Sequence, residues 1–191
     1  MPLIDPNKTT YGLTERLQGE KDPAIRRMLE EVRFHGATEA ALNIEAALER
    51  LSPKAEYVLN SATAPPVVLR GVDEIRTGFY DVLVSNVEPR LEWDVYRCVV
   101  DGRTVITEGN LKVAMRGTAL IQQGIKSADP KGFYLQAARH IVVWPFDEEL
   151  RPIGETVFYG YSTPLEEVVK HRLDPERDIG YFTGEVILPA L

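Results

Sequence analysis

The residues of this 191-residue sequence whose chemistry operates near neutral pH are three histidines, one cysteine and a set of carboxylates in strand-like segments. His35 stands three residues after Val32 and seven after Met28. That spacing puts its imidazole on the apolar stripe of a helix, facing the core or a pocket. A histidine placed so is either a core group bonded to a backbone carbonyl or a proton donor and acceptor on a pocket wall. His140 shares strand parity with Val142, Trp144 and Phe146, on the concave face or its rim if those residues line it. A lone strand histidine is otherwise structural. Two imidazoles in one pocket would suit general acid–base work, because their pKa of roughly 6.5 lies close to neutrality. His171, between Lys170 and Arg172, reads as solvated. Cys98 is followed by Val99 and Val100 and reads as an inert buried thiol.

Other ionisable residues fall in strand-like runs. Asp94, Arg97, Glu108 and Lys112 read as an ion network on an outer face, since alternation sends polar residues to water. Parity breaks around Tyr96, so a bulge there could turn one of them inward. Asn60 ends a short strand. Tyr57, Phe79, Tyr80, Trp93, Trp144 and Phe146 read as core or pocket wall. No cysteine pair, HxH or HExxH spacing is present. His35 and His140 with a carboxylate could meet at a metal, although nothing in their spacing requires it. Gly117, Gly124 and Gly132 are too scattered to cradle a phosphate. No metal and no cofactor is expected.

The elements that must position these groups follow from periodicity. Residues 1–21 carry Pro2, Pro6, Gly12 and Gly19 and read as an arm, with room for one helical turn between Tyr11 and Leu17. Asp22-Pro23 is an N-cap followed by proline at the first helical position. Ile25, Met28, Leu29 and Val32 recur at helical spacing, so a helix runs from about 24 to 42 with a seam near Gly36. Ile44, Ala47, Leu48 and Leu51 make a second, ended by Ser52-Pro53. Ala55–Asn60 and Val67–Arg70 are short strands around Pro65-Pro66. A third helix follows Gly71, with Ile75, Phe79 and Val82 inward. Then come Leu91–Val100, the hairpin signal Asp101-Gly102, Val105–Met115, a loop over Gly117–Gly132, and a second hairpin, Tyr134–Phe146 with Pro152–Tyr161. Pro164–Arg172 reads as a last helix. The apolar run Val186-Ile-Leu188 is expected to pack on its own or a neighbouring molecule. Strands and helices segregate, which indicates α+β.

Composition narrows the partners. The chain has 29 acidic and 22 basic residues, net −7, with no basic cluster, which argues against nucleic acid and anionic membranes. No apolar run approaches the roughly 20 residues of a membrane span. The first residues lack the charged and apolar regions of a secretory signal. A single cysteine forms no internal disulfide, and a reducing cytoplasm is the simplest compartment.

The order of elements around Val67-Val-Leu-Arg-Gly-Val-Asp-Glu-Ile-Arg-Thr-Gly-Phe-Tyr80, two helices before and four long strands after, resembles the nuclear transport factor 2-like superfamily. Its SnoaL-like polyketide cyclases and ketosteroid isomerase-like enzymes are nearest in pattern. Trp144-Pro-Phe-Asp147 followed by Pro152-Ile-Gly-Glu155 resembles that group's last hairpin. The resemblance implies a cystatin-like α+β roll: a cone-shaped, curved antiparallel sheet covered by three helices around an apolar pocket. It would span residues 23–161, with an arm at 1–22 and an extension at 162–191. It further implies a small-molecule function, a cofactor-independent isomerase, cyclase or dehydratase-type lyase on an apolar cyclic substrate, while the mix of apolar and charged residues on the outer sheet face leads to the expectation of a homodimer through that face. His35 and His140 would be the acid–base pair, and Tyr57, Asn60, Phe79, Tyr80, Trp93, Val142 and Trp144 the binding wall. Counting back from Asn43-Ile-Glu-Ala46, His35 falls near the oxyanion-binding tyrosine of ketosteroid isomerases. The chain also departs from the pattern. Asn60 stands where isomerases carry a base aspartate, and Val142 where cyclases and isomerases often carry an acid. The Asp-Arg-Asp set of limonene epoxide hydrolases is not visible. A non-catalytic binder of a small apolar ligand and an interaction module with a filled pocket are the alternatives.

Overall fold

The structure is a computed structural model that describes residues 1–61 and 64–186. The run Val186-Ile-Leu188 therefore lies almost wholly outside the described residues. Six strands form a strongly curled sheet in the order β2 (Val67–Arg70), β1 (Glu56–Asn60), β6 (Gly154–Ser162), β5 (Phe133–Pro145), β4 (Thr104–Arg116), β3 (Val87–Asp101). A two-residue strand, β7 (Arg172–Leu173), pairs beside β5. Every pairing is antiparallel except β1 with β6, which run parallel. The parallel pairing begins at Gly154, whose φ is 128° and where a Cβ would lie 2.1 Å from the Glu56 carbonyl oxygen. Only glycine serves there.

The helices cover the concave face. The α1 helix (Tyr11–Gln18) follows a 3-10 turn, Pro6–Thr10, and both pack on β3. The sequence pattern showed a single possible turn in this segment because Gly12 and Gly19 interrupt it. Tertiary burial of Leu13 and Leu17 supplies what propensity lacks. The α2 helix (Pro23–Ala40) starts where Asp22 accepts hydrogen bonds from the amides of Ala24 and Ile25, and runs through Gly36 without a break. The α3 helix (Ile44–Glu49) is capped by Asn43.

The third helix is continuous from Gly71 to Asn86 but changes pitch. After α4 (Gly71–Ile75) it widens into a π turn over Arg76–Tyr80 and then resumes as α5 (Asp81–Asn86). The extra residue in that turn shifts the inward face by one position. Tyr80 is consequently buried, while Val82, read as inward from 3.6-residue spacing, is 48% exposed. Gly71, at φ 77°, makes the reversal from β2 into this helix.

Two more expectations change. The segment after β4 contains α6 (Gly117–Gln122), held by buried Ala119 and Leu120, where a loop had been expected. The last helix is shorter than expected, α7 (Leu165–Val168), and α8 (Pro175–Asp178) follows β7. The bulge suspected at Tyr96 is present as a register shift between Val95 and Arg97, but Tyr96 and Arg97 remain outside. Glu108 pairs there with Arg97 and Arg139, whereas Lys112 pairs with Glu92.

The main core joins Met28, Leu29 and Val32 of α2 to Trp93, Val113, Val142, Trp144 and Val157 of the sheet. A second core gathers Leu48, Leu51, Tyr57, Ile75 and Tyr80. Among the described residues no helix is long and apolar enough to cross a membrane.

Candidate functional site

Where the two cores meet, five polar side chains converge. His35 and Glu39 stand one turn apart on α2, and i,i+4 neighbours share a helix face. Tyr57 and Glu155 are direct partners in the parallel register of β1 and β6, with side chains on the same face of the sheet. Tyr80 arrives from the π turn. Around His35 Nε2 lie Glu155 Oε1 at 3.0 Å, Tyr80 Oη at 3.1 Å, Glu39 Oε1 at 3.3 Å and Tyr57 Oη at 3.4 Å. The Tyr80 hydroxyl donates to Glu39 Oε1 at 2.9 Å and lies 3.3 Å from that of Tyr57. Trp144 meets the His35 ring edge-on, 5.2 Å between centroids.

A mainly apolar cavity of about 70 Å³ opens beside this cluster, walled by Leu91, Trp93, Leu111, Val142, Trp144 and Val157. Glu39, Glu155, His140 and Tyr159 put polar atoms on the same wall. His140 and Tyr159 are register partners on β5 and β6, and their rings lie 4.8 Å apart. An outer hollow of about 250 Å³, lined by Leu42, Ile44, Leu83, Val84 and Leu91, shares Glu39, Leu83 and Leu91 with the inner cavity. The two volumes thus adjoin across common walls.

Three buried polar atoms on the cavity wall lack a hydrogen bond: Trp93 Nε1, His140 Nε2 and Glu155 Oε1. Glu155 Oε1 lies 3.0 Å from His35 Nε2 and is ion-paired with it. The second tryptophan behaves differently, since Trp144 Nε1 donates to Thr107 Oγ1 at 2.9 Å. Buried polar groups are ordinarily paired, so the unbonded Trp93 Nε1 and His140 Nε2 on one wall depart from the usual pattern among the described residues.

Burial and charge set the protonation states. Burial works against a charged His35, but the negative charges of Glu39 and Glu155 outweigh it and hold the imidazole up at about 10. Burial pushes the Glu155 carboxyl upward, with the positive His35 opposing. Burial carries His140 down to about 4, only partly offset by Glu39, so its ring is neutral at pH 7. Burial likewise raises both the Tyr57 and Tyr80 hydroxyls well above the usual tyrosine value.

Of the residues named from sequence, Phe79, Trp93, His140, Val142 and Trp144 stand on the cavity wall. His35, Tyr57 and Tyr80 stand in the polar cluster behind it. Asn60 lies apart, with its amide donating to the Val157 carbonyl at 3.1 Å. Sequence reasoning assigned no role to Glu39, Glu155 or Tyr159. Glu39 was visible as the i+4 neighbour of His35. Glu155 and Tyr159 share parity with Val157, and that alternation was the available signal. Cys98 is half-buried, and burial raises its thiol to about 11.

No protein-family model matches the chain, and no curated protein matches it in sequence. Solved structures do resemble it. One is a protein assigned as a SnoaL-like polyketide cyclase from Jannaschia sp. CCS1, with a TM-score of 0.56 and 17% identity over 73% of this chain and 90% of that one. Another is a nuclear transport factor 2-like protein of unknown function from Burkholderia pseudomallei K96243, with a TM-score of 0.55 and 12% identity over 76% and 96%. A third is TerC, co-crystallised with polyporic acid, with a TM-score of 0.53 and 12% identity over 78% and 99%. The curled sheet, its helical cover and these likenesses agree: the chain has the nuclear transport factor 2-like fold.

Proposed function

We propose that the chain is an enzyme acting by proton transfer on a small, largely apolar cyclic molecule that carries a carbonyl or hydroxyl group. The observation that carries this reading is one apolar cavity whose wall presents, among the described residues, the unbonded Trp93 Nε1 and His140 Nε2 and a Glu155 Oε1 held only by its ion pair with His35. An indole N–H can only donate and a carboxylate oxygen can accept. A ligand with an acceptor oxygen toward Trp93 and a hydrogen toward Glu155 would complete both. Glu155 is then the group that exchanges a proton with substrate, and His140 is a neutral hydrogen-bonding partner. His35 holds Glu155 and Glu39 from behind. This assignment gives the acid–base role to Glu155 in place of the histidine pair expected from sequence.

Size sets the shape of the ligand. A cavity of about 150 Å³ takes up a benzene ring. The inner space here is about half that, and the adjoining hollow is larger. The reacting end therefore sits inside and the apolar body extends toward Leu42 and Val84. A protein of the same fold crystallised with polyporic acid supports a small-molecule ligand.

The test is solvent exchange. In D2O, the protein should catalyse deuterium uptake next to the carbonyl of cyclic ketones that bind it, and Glu155→Gln should abolish uptake while leaving the fold intact. Binding without exchange in any of a broad ketone panel would favour the alternative, a non-catalytic binder. That alternative gains weight from Asn60, whose amide is already engaged by a backbone carbonyl.

Two further readings accompany this one. A homodimer forms through the outer sheet face, where Val99 and Ile106 are cross-strand partners, 50% and 37% exposed. Sedimentation of a monomer at high concentration would refute it. The single cysteine suits a reducing cytoplasm.

A further inference from the structure

His35 Nε2 faces two carboxylate oxygens that can only accept and two tyrosine hydroxyls. Four oxygen atoms lie within 3.4 Å of Nε2, from Glu155, Tyr80, Glu39 and Tyr57. A single N–H directs one good hydrogen bond and cannot serve both carboxylates fully. Glu155 is only 6% exposed and His35 3%. Among the described residues, the ion pairs of Glu39 and Glu155 are with His35 alone. With both carboxylates ionised, even a charged imidazole leaves one negative charge in the cluster. Uncompensated charge in such a place is costly.

From this geometry we infer that His35 Nε2, Glu39 Oε1 and Glu155 Oε1 form a binding site for a divalent first-row transition cation such as Zn2+. The three atoms all lie within 4.8 Å of one another. Bonds of roughly 2.0–2.2 Å in tetrahedral geometry put ligand atoms about 3.3–3.5 Å apart. The observed separations from Nε2, 3.3 Å to Glu39 and 3.0 Å to Glu155, need only a small outward adjustment. One imidazole with two carboxylates suits a cation of intermediate hardness, whereas an all-oxygen set would select Mg2+ or Ca2+. With a neutral imidazole, two carboxylates cancel the charge of a divalent ion. Glu39 lines both the inner cavity and the outer hollow, which gives a route in. Three protein ligands leave a fourth position free, the arrangement of a site open to water or substrate.

The inference goes beyond the proton-transfer reading and does not rest on it; Glu155 Oε1 serves one partner at a time, so a bound cation and a proton-exchanging Glu155 are alternative states of the site. Cation binding is measured without any substrate, so its failure leaves deuterium exchange untouched, and the reverse holds. The experiment is titration of the chelator-treated full chain with Co2+, followed by visible absorption and calorimetry, then displacement by Zn2+. One Co2+ per chain is expected, with ligand-field bands that disappear on displacement. Glu39→Gln and Glu155→Gln should each weaken binding by roughly ten- to a hundredfold, the range seen even for residues that only support a metal ligand. Glu39 is the more exposed of the two, so that variant serves if Glu155→Gln fails to fold. Absence of binding by the wild type, or binding that both folded variants retain at wild-type strength, would overturn the site.

Discussion

Replacing Glu155 with glutamine in metal-free protein should change the titration of a residue on another element. His35 is held at about 10, against 6.5 for a free imidazole. At about 1.4 kcal/mol per pKa unit, that difference corresponds to about 5 kcal/mol of preference for the charged ring in the folded state. Because the folded pKa is the higher one, this contribution is complete below pH 6.5 and is lost as pH rises toward 10. The net effect is smaller, since Glu155 is itself raised by burial and loses stability as it ionises. Glu155→Gln removes one of two nearby anions and keeps the volume. The His35 pKa should then fall by more than about one unit, since an adjacent opposite charge shifts a pKa by roughly 1–3 units. Ring chemical shifts of His35 followed by NMR read this directly. Thermal melts at pH 6, 7.5 and 9 should show a weaker alkaline loss in the variant. A wild-type His35 that titrates near 6.5, or a pKa unchanged by Glu155→Gln, would refute the charge argument.

Other consequences follow from the same structure. His140 is depressed by burial to about 4, so folding stability should fall as pH drops from 6.5 toward 4, by at most about 3 kcal/mol; urea melts of His140→Leu at pH 7 and 4.5 should lack that loss. Glu92 is buried, pairs with Lys112 at 2.8 Å and accepts the Asp5 amide at 2.8 Å. Glu92→Ala should cost about 1–3 kcal/mol and speed amide exchange at residues 4–10, and unchanged exchange there would separate the N-terminal segment from the sheet. Gly154→Ala should disrupt the parallel pairing of β1 with β6, lowering Tm by several degrees, because its Cβ would overlap the Glu56 carbonyl.

Much of the scaffold was legible because local signals and tertiary packing agree. Asp22-Pro23 and the stripe Ile25, Met28, Leu29, Val32 specify α2, and the same stripe buries His35. Asp101-Gly102 specifies the β3–β4 hairpin, and the parity of Val142 and Trp144 specifies the cavity face. The rest escaped for identifiable reasons. The π turn defeats 3.6-residue counting, so Val82, read as inward, is exposed. The α1 helix exists through burial against β3, which its glycines concealed. Glu155 is a charge beginning a strand, and polarity alone reads it as outward. Its parity with Val157 signals the inward face, but its place beside Tyr57 depends on the parallel pairing, a long-range fact.

The chain's two tryptophans, Trp93 and Trp144, both line the cavity, so intrinsic fluorescence reports its occupancy without a label. The most direct test of the account is a fluorescence titration with non-fluorescent monocyclic ketones, comparing wild type with Val142→Phe, whose added ring fills the inner space. Wild type should show saturable quenching at one ligand per chain, and Val142→Phe should fold and show none. Failure of every such ligand to perturb the wild-type spectrum, or equal quenching in a folded Val142→Phe, would contradict the claim that this cavity is the functional site.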